Sequence, residues 1–143
     1  MLTRFVNWES LLDNFFLANR ERAFLYGRWD CCLFAADAIQ VMTGVDVATK
    51  FRGRYDSANT AIRRIREYCG HRSVARIAEK LAQEHSMEQA APGLARRGDM
   101  IVVKRPRDYS IGILALNGAQ IVIPGKKELL RIPLSFAVTA WRV

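Results

Sequence analysis

The chain has 143 residues, of which 50% are hydrophobic and 25% charged, with a net charge of +8. A chain of about this size buries roughly 68–70% of its unfolded surface, so one domain over residues 1–143 with an ordinary core is expected. No apolar run is long enough to span a bilayer, and MLTRFVNWESLLDNFF carries Glu9 and Asp13 and lacks a signal-peptide cleavage site, so no membrane segment and no secretion are expected.

Asn7 is placed to cap a first helix over about Trp8–Asn19, in which Trp8, Leu11, Leu12, Phe15 and Phe16 form one apolar stripe. The next helix runs between Asp30, a good N-cap, and Gly44, a good stop. Cys31, Cys32, Leu33, Phe34, Ala35 and Ala36 make it apolar nearly all round, which predicts a central helix buried on most sides. Thr43–Tyr55 reads as a loop, with Lys50, Arg52 and Arg54 giving it a basic character. Ser57 and Gly70 bracket a third helix with Arg63, Arg64 and Arg66 outward, and Ser73 caps a fourth carrying Val74, Ile77, Ala78 and Leu81 on one face. EHSMEQAAPGLARRGD reads as a connecting loop.

From Asp99 the period changes to that of strands: Met100–Lys104, Ile111–Leu116, Ala119–Ile123, Leu129–Ile132 and Ala137–Val143. Asn117-Gly118 predicts a type I′ hairpin turn. Helices followed by an antiparallel sheet define an α+β class.

Three cysteines, Cys31, Cys32 and Cys69, make an odd count with two adjacent, so free thiols are expected rather than a disulfide framework. Only His71 and His85 are available beside them, without Cys-x-x-Cys or His-x-x-x-His spacing, so neither a metal nor another cofactor is expected. The positive balance points either to acidic partners or to a solvated surface, and the basic residues of 50–66 carry the same two readings. Nucleic acid is disfavoured as a partner, because aromatic residues do not interleave with the basic ones as stacking platforms require.

Tyr26-Gly27-Arg28-Trp29-Asp30-Cys31-Cys32-Leu33-Phe34 resembles the NlpC/P60 signature, in which a Trp-Gly turn precedes Asp-Cys-Ser-Gly-Phe. Arg97-Gly98-Asp99-Met100 resembles that superfamily's Gly-Asp-Leu strand opening, and Ser110-Ile111-Gly112-Ile113 its His-Val-Gly-Ile strand. With Thr43-Gly44-Val45-Asp46, Arg52-Gly53-Arg54-Tyr55 and Ala140-Trp141-Arg142-Val143, the chain from Trp8 onward looks like the small NlpC/P60-like proteins of phage and prophage tail modules. The resemblance implies a papain-like minimal fold and a place among tail-tip or tail-assembly components. It thereby implies a virion location after synthesis in a host cytoplasm, with other tail-tip proteins as partners and peptidoglycan as a second candidate.

By the same resemblance Cys31 matches the family's nucleophile. A helix N-terminus favours thiolate, so half of an activated cysteine is expected there. The other half is an imidazole base oriented by a third polar group. The histidine position matches Ser110, which cannot take a thiol proton near neutral pH, and the third position falls near Ile121–Ile123, which are apolar. His71, His85, Asp108 and Tyr109 are the remaining candidates to approach Cys31. The leading expectation is a structural or assembly protein on an NlpC/P60-like scaffold without a working dyad, with Cys31 vestigial. Its rival is an active cysteine peptidase or amidase that cleaves peptidoglycan as phage DNA passes into the cell.

Overall fold

The computed structural model describes residues 2–143. Four helices, α1 (Trp8–Asn19), α2 (Cys31–Thr43), α3 (Ala58–Cys69) and α4 (Val74–Glu84), precede the whole sheet, and the protein is α+β. The caps explain the boundaries. Asp30 accepts the Leu33 N–H at 3.0 Å, and Gly44 closes α2 at φ +80°, its N–H bonded to Gln40 O at 2.7 Å. Ser57 and Thr60 form a reciprocal capping box at the start of α3, and Ser73 accepts the Ala75 N–H before α4. Asn7 does not behave as expected: its side chain makes no capping bond. Packing holds α1 instead, through buried Leu12 and Phe16 on the stripe.

The strands are β1 (Gln89–Ala90), β2 (Met100–Lys104), β3 (Tyr109–Leu114), β4 (Gln120–Pro124), β5 (Leu129–Pro133) and β6 (Ala137–Trp141). They form one antiparallel sheet in the order β1-β6-β2-β3-β4-β5. Strand alternation splits its side chains between two cores. Met100, Val102, Ile111, Ile113 and Val122 join Leu12, Phe16, Trp29, Phe34 and Ile39 beneath the helices. Ile101, Val103, Leu114, Ile121, Ile123 and Ala140 fill a second cluster on the opposite face. Each such aliphatic side chain contributes about 1.5–3 kcal/mol on burial. Gly112 lets β4 approach β3 closely: a Cβ there would stand 2.6 Å from both Ile121 Cγ2 and Val122 O.

Two expectations are corrected. The connecting loop contains β1 and a short 3-10 turn, Pro92–Leu94. β1 exists because Gln89 pairs with Trp141 at the far end of the chain, which no local pattern announces. The Asn117-Gly118 turn is not type I′, which needs positive φ at both residues. Gly118 has φ +70°, but Ser86 is the only non-glycine at positive φ among the described residues. The turn is closed one step earlier, by the Gly118 N–H on Ala115 O at 2.9 Å, and Asn117 Oδ1 accepts the Ala119 N–H at 2.9 Å.

The start of β2 is fastened by Asp99, only 1% exposed. Arg4 Nη2 and Arg142 Nη1 each lie 3.1 Å from its carboxylate. The Arg96 and Val143 N–H groups donate to it at 2.8 and 3.2 Å. A buried carboxylate with this many donors is fully compensated, so the Gly-Asp motif acts as a structural knot joining residues distant in sequence.

Candidate functional site

The N-terminus of α2 opens into a cleft of about 620 Å³. Its walls come from the 24–32 segment, α3, the entry to α4, the β2–β3 turn and the β4–β5 turn. The segment before α2 is bent so that Trp29 and Leu25 bond each other's backbones, at 2.7 and 3.0 Å. Trp29 is 0% exposed, with Arg22 4.2 Å above its ring. Gly27, at φ +81°, lies so close to the Tyr55 carbonyl oxygen that a Cβ would overlap it. That approach lays the 51–55 loop against Asp30. Asp30 Oδ2 accepts the Gly27 N–H at 3.0 Å and the Tyr55 hydroxyl, while Oδ1 caps the helix. Asp30 therefore positions both the helix start and the loop.

Cys31 is half-buried and lines this cleft together with Asp30, Tyr55, Asp108, Tyr109 and Ser110. The hairpin register explains what meets the thiol. The Arg105 N–H bonds Asp108 O at 2.7 Å and the Leu114 N–H bonds Asp99 O at 3.0 Å. Hydrogen-bonded pairs alternate in an antiparallel ladder, so Val103–Ser110 and Ile101–Gly112 are the bonded pairs between these limits. Tyr109 and Ile111 then turn their peptide groups to the other edge of β3. β4 pairs with β3 only at Ile113 and Leu114, so that edge is open beside Cys31, and the Ile111 N–H reaches the thiol.

The thiol is not primed. Desolvation is the main cause of a pKa pushed up to about 12, the Asp30 carboxylate adds to it, and Asp108 adds less. The Ile111 and Cys32 backbone N–H groups pull the other way without prevailing. The helix terminus was expected to favour thiolate; burial and two carboxylates act in the opposite direction. Cys32, within the core, is likewise raised well above the ordinary thiol range, chiefly by burial.

No imidazole lines the cleft. His71 is exposed and His85 follows the last residue of α4, both lining none of it. Ser110 does line it, but alternation along β3 places its side chain on the face of Gly112 and Leu114, opposite Ile111. Ile121, Val122 and Ile123 are buried and apolar, so no polar third group stands there. Asp108 and Tyr109 are the sequence candidates that do approach Cys31, and Asp108 acts against ionisation. Among the described residues no group of three or more His, Cys, Asp or Glu side chains is placed to hold a metal ion. No helix is long and apolar enough to cross a membrane.

The basic segment divides. Arg52 clamps α2 to its following loop, with Asp37 at 2.8 Å and Asp46 at 3.0 Å, and Arg64 donates to Lys50 O at 3.0 and 2.8 Å. Arg54, Arg63 and Arg66 are exposed. Sequence reasoning missed a different basic group, Arg72, Arg105 and Lys126, which rims the cleft. Each adjoins a turn signal, Ser73, Pro106 or Gly125, but only the fold brings the turns together.

These features define an α+β protein with a cysteine at the head of a buried helix, facing the open edge of an antiparallel sheet across a cleft. Residues 3–143 match the family described as "Domain of unknown function (DUF6950)", and the chain belongs to that family. Comparison with curated proteins gives no match.

Proposed function

We propose that the protein is a structural or assembly component of a phage or prophage tail, near its tip, on a papain-like NlpC/P60-like scaffold that works through protein–protein contacts. The tail context rests on the sequence resemblance. The observation that carries the non-catalytic part is the state of Cys31: a thiol pushed up to about 12, in a cleft that no imidazole lines. Thiolate, not thiol, is the nucleophile, and a neutral thiol without a base does not open an amide. Mass spectrometry of particles purified from a producing culture tests the reading. Stoichiometric recovery with tail proteins is expected, and absence from tails overturns it.

One observation favours a second reading, that of a peptidoglycan-cleaving cysteine peptidase or amidase: the thiol heads a buried helix in a cleft large enough for a peptide. Such an enzyme needs a base from a neighbouring chain. Zymography of assembled particles with wild type and Cys31→Ala separates the two, since clearing that depends on Cys31 establishes the enzyme.

A further inference from the structure

The mouth of the cleft holds three cations that the fold does not use. Arg72 precedes α4, Arg105 opens the β2–β3 turn and Lys126 follows Gly125, and all three line the cleft. Among the described residues none of them has an ion-pair partner, in contrast to Arg4, Arg52 and Arg142, which are all paired. Two carboxylates share the space. Asp30 is occupied by Gly27, Leu33 and Tyr55, and Asp108 Oδ1 accepts the Tyr109 N–H at 2.7 Å. The cations outnumber them, and like charges gathered round an apolar floor are relieved when an anion arrives.

That floor is broad: Phe24, Tyr26, Ile62, Ile65, Val74 and Tyr109 contribute to it. Its volume of about 620 Å³ lies within the roughly 300–1,000 Å³ of ligand pockets. Tyr109 and Ile111 have no β4 partner, but their N–H groups are already taken, by Asp108 Oδ1 and the Cys31 thiol, so the site is carried by its charges and its floor.

We infer that this cleft binds an extended segment of a partner protein in which carboxylates flank large apolar side chains. The inference rests on the assembly reading above and names the partner's chemistry. Arg72, Arg105 and Lys126 take the carboxylates, and the apolar floor takes the side chains between them. A cell-wall stem peptide has the acids but, being built on alanine, offers little to fill the floor.

The test uses fluorescence anisotropy with a labelled octapeptide that alternates glutamate with leucine and phenylalanine. Saturable binding to the full chain is expected at low ionic strength. R72E/R105E/K126E is expected to weaken it about tenfold or more, and R72Q/R105Q/K126Q, which adds no new charge, less in the same direction. R63E/R66E, on the outward face of α3, is expected to change it less than about twofold. No saturation below about 1 mM, equal binding of the same peptide with lysine for glutamate, or tighter binding of a muramyl peptide overturns the inference. The two proposals fail separately. Wild type missing from particles removes the assembly role. Wild type present, with R72E/R105E/K126E incorporated equally well, removes the cleft as the docking site and leaves the role standing.

Discussion

Asp99 and Asp30 each stand in a short motif and are each nearly buried, at 1% and 4% exposure, yet they organise opposite kinds of place. Around Asp99 the carboxylate is met by charge inside the molecule: Arg4 and Arg142 converge on it, and two backbone N–H groups complete its coordination. Around Asp30 the carboxylate is satisfied by neutral donors, and the nearby cations Arg72, Arg105 and Lys126 are left unpaired at the rim. The first arrangement spends its electrostatics on the fold. The second keeps charge facing outward over an apolar floor, as a surface that recognises something else does. A charged motif residue is thus informative about binding only once its neighbours are seen to be used or unused.

The comparison can be broken most sharply at the knot. Asp99→Ala leaves two half-buried guanidinium groups without a counter-charge, and a loss of about 3–5 kcal/mol in urea unfolding is expected. A loss no larger than an exposed substitution would make the knot incidental. Next comes Gly27→Ala, which combines φ +81° with overlap on the Tyr55 carbonyl; a cost of about 1–3 kcal/mol is expected, with loosening of the 51–55 loop seen as faster amide exchange. Asp30→Asn keeps an oxygen able to cap the helix but removes the second oxygen, which accepts the Gly27 N–H and the Tyr55 hydroxyl, and a charge beside the thiol. About 1 kcal/mol is expected in stability, and the midpoint of Cys31 alkylation with iodoacetamide, read per cysteine by mass spectrometry, should move down from about 12. An unmoved midpoint would assign the raised thiol to burial alone.

The gentlest effect is a slope. Below pH 9.0 the Cys31 thiol is protonated in folded and unfolded chains alike, so its contribution is constant. Above that the unfolded chain releases the proton first, and stability falls as pH rises toward about 12. Tyr55 and Tyr68, both raised chiefly by burial, push in the same direction. Cys31→Ala is expected to make the alkaline decline shallower, and an unchanged decline would place the sulfur in water.

The helix ends were legible because each signal acts within a few residues: Asp30 on Leu33, Gly44 on Gln40, Ser57 on Thr60. Asn7 carried the same type of signal and failed, since tertiary packing of Leu12 and Phe16 holds α1 without it. β1 was invisible because its two residues are a strand only against Trp141 and Ala140. In the site, the position of Cys31 at the first turn of a buried helix was readable. Its protonation was not, because Asp108 and the covering loop arrive from elsewhere in the chain. The rim cations were equally hidden, each belonging to a different turn.

The protonated sulfur of Cys31 has a consequence for ageing. Peroxide attacks thiolates, so a thiol that stays neutral well above physiological pH climbs the ladder from sulfenic to sulfonic acid slowly. With Cys32 deeper in the core, both sulfurs at the head of α2 are expected to oxidise slowly as free thiols. The same burial that silences the nucleophile preserves it.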